Sequence, residues 1–135
     1  MTRTQSNIIE GSLSKPGKKG LTRLLAALRY SLRGLAAAWR FEAAFRLEVV
    51  LAACCLPLAF WLAQSHVELL LLLLSMFAVI IAELVNSAIE AVVDRTGSEL
   101  HELSGRAKDI GSAVVLMTLV QFLIVWIVIG VQRLG

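Results

Sequence analysis

Charge is scarce in this chain. Asp, Glu, Lys and Arg make up 17% of its 135 residues, where soluble domains carry about a quarter. Hydrophobic residues reach 58% and the mean hydropathy is +0.77. A disordered chain is excluded by that balance, and a soluble globular domain is disfavoured. Cysteine is nearly absent too. The two present, Cys54 and Cys55, are adjacent inside an apolar run. They have neither metal-ligand spacing nor partners for a disulfide framework, so they read as small apolar side chains. Several chemical signatures are missing. There is no GxxxxGK[ST] phosphate loop, no Gly-rich strand-turn-helix, no DFG-type element and no Ser/His/Asp or Cys/His set. The length allows one domain. It is too short for a transporter built from internal repeats within one chain. The first long apolar run begins near residue 47, too far in for the h-region of a signal peptide.

What charge there is falls unevenly. Of thirteen Lys and Arg, nine precede residue 47 (Arg3, Lys15, Lys18, Lys19, Arg23, Arg29, Arg33, Arg40, Arg46). Three more are Arg95, Arg106 and Lys108, and Arg133 stands alone near the C-terminus. A basic N-terminal third joined to apolar segments suits an anionic membrane surface rather than nucleic acid.

The pattern predicts an all-α membrane protein, a single domain over residues 1–135. Residues 1–20, polar with three glycines and a proline, read as a flexible tail. Leu21, Leu24, Leu25, Leu28, Tyr30, Leu32, Leu35 and Trp39 recur at helical spacing among arginines. They predict an amphipathic helix over 21–45 lying in the membrane surface. Spans are expected at 47–63, with Pro57 inside, at 69–93 and at 110–131. Residues 64–68 read as a tight polar turn, and 94–109 as a polar loop. Twelve basic residues fall on the side of the N-terminus and that loop, and one on the other. Positive-inside bias then places the N-terminus and the loop in the cytoplasm, and the C-terminus outside.

The second span carries unusual polarity. On an ideal helix Glu83, Asn86, Glu90 and Asp94 fall within an arc of about 80°, with Ser87 beside them. A charged group at mid-membrane costs on the order of 2.5–3.5 kcal/mol on insertion scales. Asn86 alone would serve as interhelical glue. Two acids on one stripe fit a polar site facing the cytoplasmic leaflet better. Glu90 is then expected near the interface and Glu83 two turns deeper, about 10 Å, within reach of a hydroxyl at the head of a lipid. Glu42, in WRFEAAFR, is either a solvated acid or a further ligand near Glu90 for a hard cation such as Mg²⁺, which keeps phosphate and water ligands. The loop stretch from Ser104 to Asp109 (SGRAKD) is compatible with phosphate binding but unspecific alone. His101 alone is more often structural or exposed.

Taken together, ExxNxxxExxxD over Glu83–Asp94 followed by SGRAKD resembles the prokaryotic integral-membrane diacylglycerol kinase family. The match is strongest over 83–112, with a second block at 22–48. This resemblance implies a homotrimer of three-span protomers, with composite sites between protomers, phosphorylating the hydroxyl of diacylglycerol with ATP to give phosphatidic acid. It implies Glu83 as general base and Glu42 and Glu90 as ligands of a divalent metal, Mg²⁺. Nucleotide contacts would come from Arg23, Tyr30, Glu42, Glu90, Glu99, His101, Lys108 and Asp109, with Lys108 on phosphate. Trp39, Glu48, Glu83, Asn86 and Ser112 would line the lipid substrate. Phe41 departs from the family, which usually has a polar residue there, often Asn; this removes one hydrogen-bonding group beside Glu42. The tail is also longer than the family's. Two other readings stay open: an undecaprenol kinase with the same fold and site, and a non-enzymatic oligomer such as a small ion conductor using the same acids.

Overall fold

A computed structural model describes residues 20–95 and 102–135. All regular structure among them is helical: α1 (Leu21–Phe41), α2 (Ala43–Leu62), α3 (His66–Arg95) and α4 (Glu102–Leu134). The chain divides after Ala36 into two compact units.

The first unit holds the N-terminal turns of α1. Gly20 starts the helix with φ +55°, a left-handed value that suits glycine, and its carbonyl accepts from the amides of Arg23 (3.1 Å) and Leu24 (3.2 Å). Leu21, Leu24, Leu25, Leu28, Tyr30, Leu32 and Leu35 are all exposed.

The second unit holds the rest. The expected surface helix does not run to residue 45: it stops at Phe41, and Glu42 is extended (φ −103°, ψ 111°) before α2 begins. No Gly or Pro marks this break. Its support comes from further along the chain, where Arg46 Nη1 donates to the carbonyls of Trp39 (3.0 Å) and Arg40 (3.2 Å). These are carbonyls that a helix end leaves without partners.

α2, α3 and α4 have 20, 30 and 33 residues and are long and apolar enough to cross a membrane. At 1.5 Å per residue they measure about 30, 45 and 50 Å, so α3 and α4 outreach the ~30 Å hydrocarbon core. Both exceed the expected spans. α3 begins three residues early because residues 65–68 form a cap. The Glu68 amide donates to Ser65 Oγ (3.2 Å), and Glu68 Oε2 accepts from the Gln64 amide (2.7 Å). This is a variant of the S-x-x-E capping box. α4 begins at Glu102 rather than 110, so the latter half of the expected 94–109 loop is helical. Leu103, Arg106, Ala107 and Lys108 favour helix, Glu102 suits its N-terminal dipole, and one interior glycine is tolerated.

α3 is the central helix. It packs along α4 and α2, which touch each other little. A third of its apolar window is buried, against 6% for α4. Most large apolar side chains on the three helices face outward, as lipid rather than water requires. The packed core lies at one end. Ala59, Leu62, Leu72 and Ile129 form it, flanked by Leu69, Val125 and Trp126. A buried polar side chain, Ser75, lies beside this core. Ser75 Oγ donates to the Leu72 carbonyl (2.8 Å) and accepts from Trp126 Nε1 (3.2 Å). Phe122 stacks on Trp126 with centroids 5.0 Å apart, and the Arg133 guanidinium lies 5.5 Å from the Trp61 ring centroid.

Leu72 is fully buried (0% exposed). Leu72→Ala is expected to destabilise the protein by about 2–5 kcal/mol, read as an earlier unfolding transition in detergent micelles.

Candidate active site

The up-down-up course of α2, α3 and α4 brings three segments to the end away from that core. They are the N-terminal turns of α2, the C-terminal half of α3 and the N-terminal turns of α4. The polar stripe of α3 lies there. Glu83 is 6% exposed and Asn86 8% exposed, and both are buried. Asn86 Nδ2 donates to Glu90 Oε1 at 3.0 Å, a pair one helical turn apart. Glu90 is half-buried.

Carboxylates from α2 complete the cluster. Glu42, at the break before α2, is half-buried, and its side chain makes no capping bond. It and Glu90 act electrostatically on Glu83, and Glu83 acts on Glu48. Four acids, one from the break before α2, one from α2 and two from α3, therefore share one region. Against them stands Lys108 on α4, which interacts with Asp94 and Glu90. Its ammonium lies 2.7 Å from Asp94 Oδ1. So the expected phosphate-binding lysine is held by the last acid of the α3 stripe.

Three buried side-chain atoms have no hydrogen-bond partner among the described residues: Glu48 Oε2, Asn86 Oδ1 and Ser87 Oγ. Buried polar atoms are seldom left so, and each marks a place where a ligand, water or partner is wanted. Glu48 also lines an open groove of about 80 Å³ between the three helices. It is otherwise apolar, running past Cys55, Met76 and Val79 to Phe122.

Other expected site residues are placed less closely. Asp109 and Ser112 are exposed on α4, and Trp39 is half exposed on α1. Arg23 and Tyr30 are exposed in the first unit. Glu99 and His101 lie outside the described residues.

Among the described residues no three His, Cys, Asp or Glu side chains stand together as a metal cage. The donors available are hard carboxylate oxygens with excess negative charge around them. Such a set fits a cation that uses one or two carboxylates and brings phosphate and water ligands with it.

Comparison with known proteins decides the family. The sequence model for prokaryotic diacylglycerol kinase matches residues 29–130. The chain belongs to the prokaryotic diacylglycerol kinase family. Its similarity to named members covers most of both chains. It is 51% identical over 116 residues to the diacylglycerol kinase of Escherichia coli (strain K12), covering 86% of this chain and 95% of the relative. With the Haemophilus influenzae diacylglycerol kinase it is 50% identical over 107 residues (79% and 91%). With that of Pseudomonas aeruginosa it is 46% identical over 110 residues (82% and 89%). The ExxNxxxExxxD and SGRAKD residues of this diacylglycerol kinase family member lie on α3 and α4 and meet through the Asp94–Lys108 pair.

Two features escaped the sequence reading. One is that ion pair, although charged i, i+14 partners across a short polar connection are a readable sign of an antiparallel helix pair. The other is Gly111, buried against Asn86. A small residue at a helix crossing was its signal.

Asp94 is 65% and Lys108 39% exposed, so their pair contributes little to stability. Asp94→Asn is expected to leave the unfolding midpoint unchanged within error, measured by thermal denaturation in micelles.

Proposed function

We propose that this chain transfers the γ-phosphoryl group of ATP to the free hydroxyl of diacylglycerol, giving phosphatidic acid and ADP. The observation that carries this reading is a buried acid, Glu83, on a stripe continuing through Asn86 and Glu90 to the Asp94–Lys108 pair, in a chain about half identical to named diacylglycerol kinases.

The lipid hydroxyl oxygen attacks the γ-phosphorus, its proton passes to the Glu83 carboxylate, and ADP leaves. Phosphoryl transfer asks a protein mainly for positioning and charge neutralisation. Glu42 and Glu90 would hold Mg²⁺, which would offset the charge of the nucleotide phosphates. Lys108 exchanges Asp94 for phosphate. Arg23, Tyr30, Glu99, His101 and Asp109 contact nucleotide. Trp39, Glu48, Asn86 and Ser112 line the lipid, and Glu48 suits the polar head of a groove whose walls are apolar.

The chain is read as a homotrimer with sites shared between protomers. The outward apolar faces and the unpartnered Ser87 Oγ support a neighbour in the membrane. The exposed leucines of α1, interspersed with Arg23, Arg29 and Arg33, support an amphipathic helix in the membrane surface. The basic bias of the N-terminal region supports the cytoplasmic face of a bacterial inner membrane for the site.

Purified protein in mixed micelles, given MgATP labelled at the γ-phosphate, is expected to label diacylglycerol in preference to undecaprenol offered alongside. Label on undecaprenol alone would move the substrate to the polyprenol. Label on neither lipid, in folded protein, would contradict the kinase reading and favour a conductor.

A further inference from the structure

We propose that Gly111 is a positioning residue of the candidate site. Its missing side chain lets α4 close on α3 so that Asn86 is pinned with its amide nitrogen on Glu90. This rests on the reading that Glu90 is a ligand-binding carboxylate.

The orientation of Asn86 follows from hydrogen-bond chemistry. An amide N–H donates and a carboxylate oxygen accepts, and the Nδ2 end of Asn86 faces Glu90. The bond is 3.0 Å long. Oδ1 is thereby turned towards α4, buried and without a partner among the described residues. There it lies against the Cα of Gly111. A Cβ built at 111 falls on Asn86 Oδ1, well inside contact distance. It would also stand 3.5 Å from Asn86 Cγ and 3.6 Å from Ile89 Cδ1.

The clash is relieved by moving the end of the Asn86 side chain. Asn86 is short and held at its other end by Glu90, so moving Oδ1 breaks the Nδ2 bond. Glu90 then loses the contact that fixes its Oε1. The other interior glycines of α4, Gly105 and Gly130, have nothing within 4 Å of a built Cβ. The close approach is thus particular to Gly111, and not a general property of glycines on this helix.

Such a partner of a metal-binding carboxylate typically changes metal affinity 10–100-fold when lost. The test uses full-length protein in mixed micelles with two readouts. The first is the thermal unfolding midpoint of Gly111→Ala, Asn86→Ala and the double variant. The second is the Mg²⁺ concentration giving half-maximal lipid phosphorylation by Gly111→Ala, with Gly130→Ala as the control on the same helix. Gly111→Ala is expected to lower the midpoint when Asn86 is present and not when it is Ala. It is also expected to raise the half-maximal Mg²⁺ concentration roughly 10-fold, with Gly130→Ala unchanged in both. If Gly111→Ala alone fails to fold while the double variant folds, the contact is supported in its strongest form. An equal loss of midpoint in both Asn86 backgrounds, or an unchanged Mg²⁺ requirement in folded Gly111→Ala, would overturn the proposal. Full phosphorylation by Glu90→Gln would overturn the role through Glu90 and the reading beneath it. A midpoint coupling between Gly111 and Asn86 would survive that result, so the two failures are distinguishable.

Discussion

The cost of burying carboxylates in an apolar helix governs this molecule. Glu83 sits 6% exposed on a helix made mostly of Leu, Ile, Val and Ala. Desolvating such a group is unfavourable, and Glu42, Glu48 and Glu90 add like charge around it. Interior packing alone does not offset this. Asn86 satisfies one oxygen of Glu90, and Lys108 is drawn towards Asp94 and Glu90. The remaining imbalance is negative, which is the electrostatic condition for recruiting a cation together with its phosphates. In the proposed reaction that is the cargo MgATP brings.

The helix arrangement separates stability from chemistry. At one end, Ala59, Leu62, Leu72 and Ile129 pack together, and Ser75 and Trp126 satisfy each other. At the other end the helices carry acids, a lysine and three unpartnered polar atoms. Because neighbours run antiparallel, the N-termini of α2 and α4 lie beside the C-terminal end of α3. Helix N-termini favour anions, so phosphate and acid stripe can share one end. α3 packs along both α2 and α4, which explains why it is the most buried helix.

Much of this was legible in the sequence. Hydropathy located three long helices, and the 100° step per residue put Glu83, Asn86 and Glu90 on one face, where Asn86 and Glu90 do bond. The motif named the family that the comparisons establish. What failed were boundaries set by distant contacts. The break at Glu42 has no local breaker and depends on Arg46 reaching back to the end of α1. The early start of α4 was hidden because SGRAKD is polar yet helix-compatible, and polarity was read as loop. The Asp94–Lys108 pair and the Gly111–Asn86 contact need two helices in register, information that periodicity along one helix does not contain. Glu99 and His101 fall outside the described residues and stay expectations.

The central claim is that the buried carboxylate of Glu83 accepts the proton of the lipid hydroxyl. Glu83→Gln tests it most directly, since glutamine keeps the size and removes the basic oxygen. The measurement is transfer of labelled γ-phosphate from MgATP to diacylglycerol by the purified variant, with oligomeric state and unfolding midpoint measured on the same preparation. The account predicts no detectable phosphatidic acid from a protein that assembles and unfolds like the unmutated one. Near-normal transfer by Glu83→Gln would contradict it and remove Glu83 from the base role.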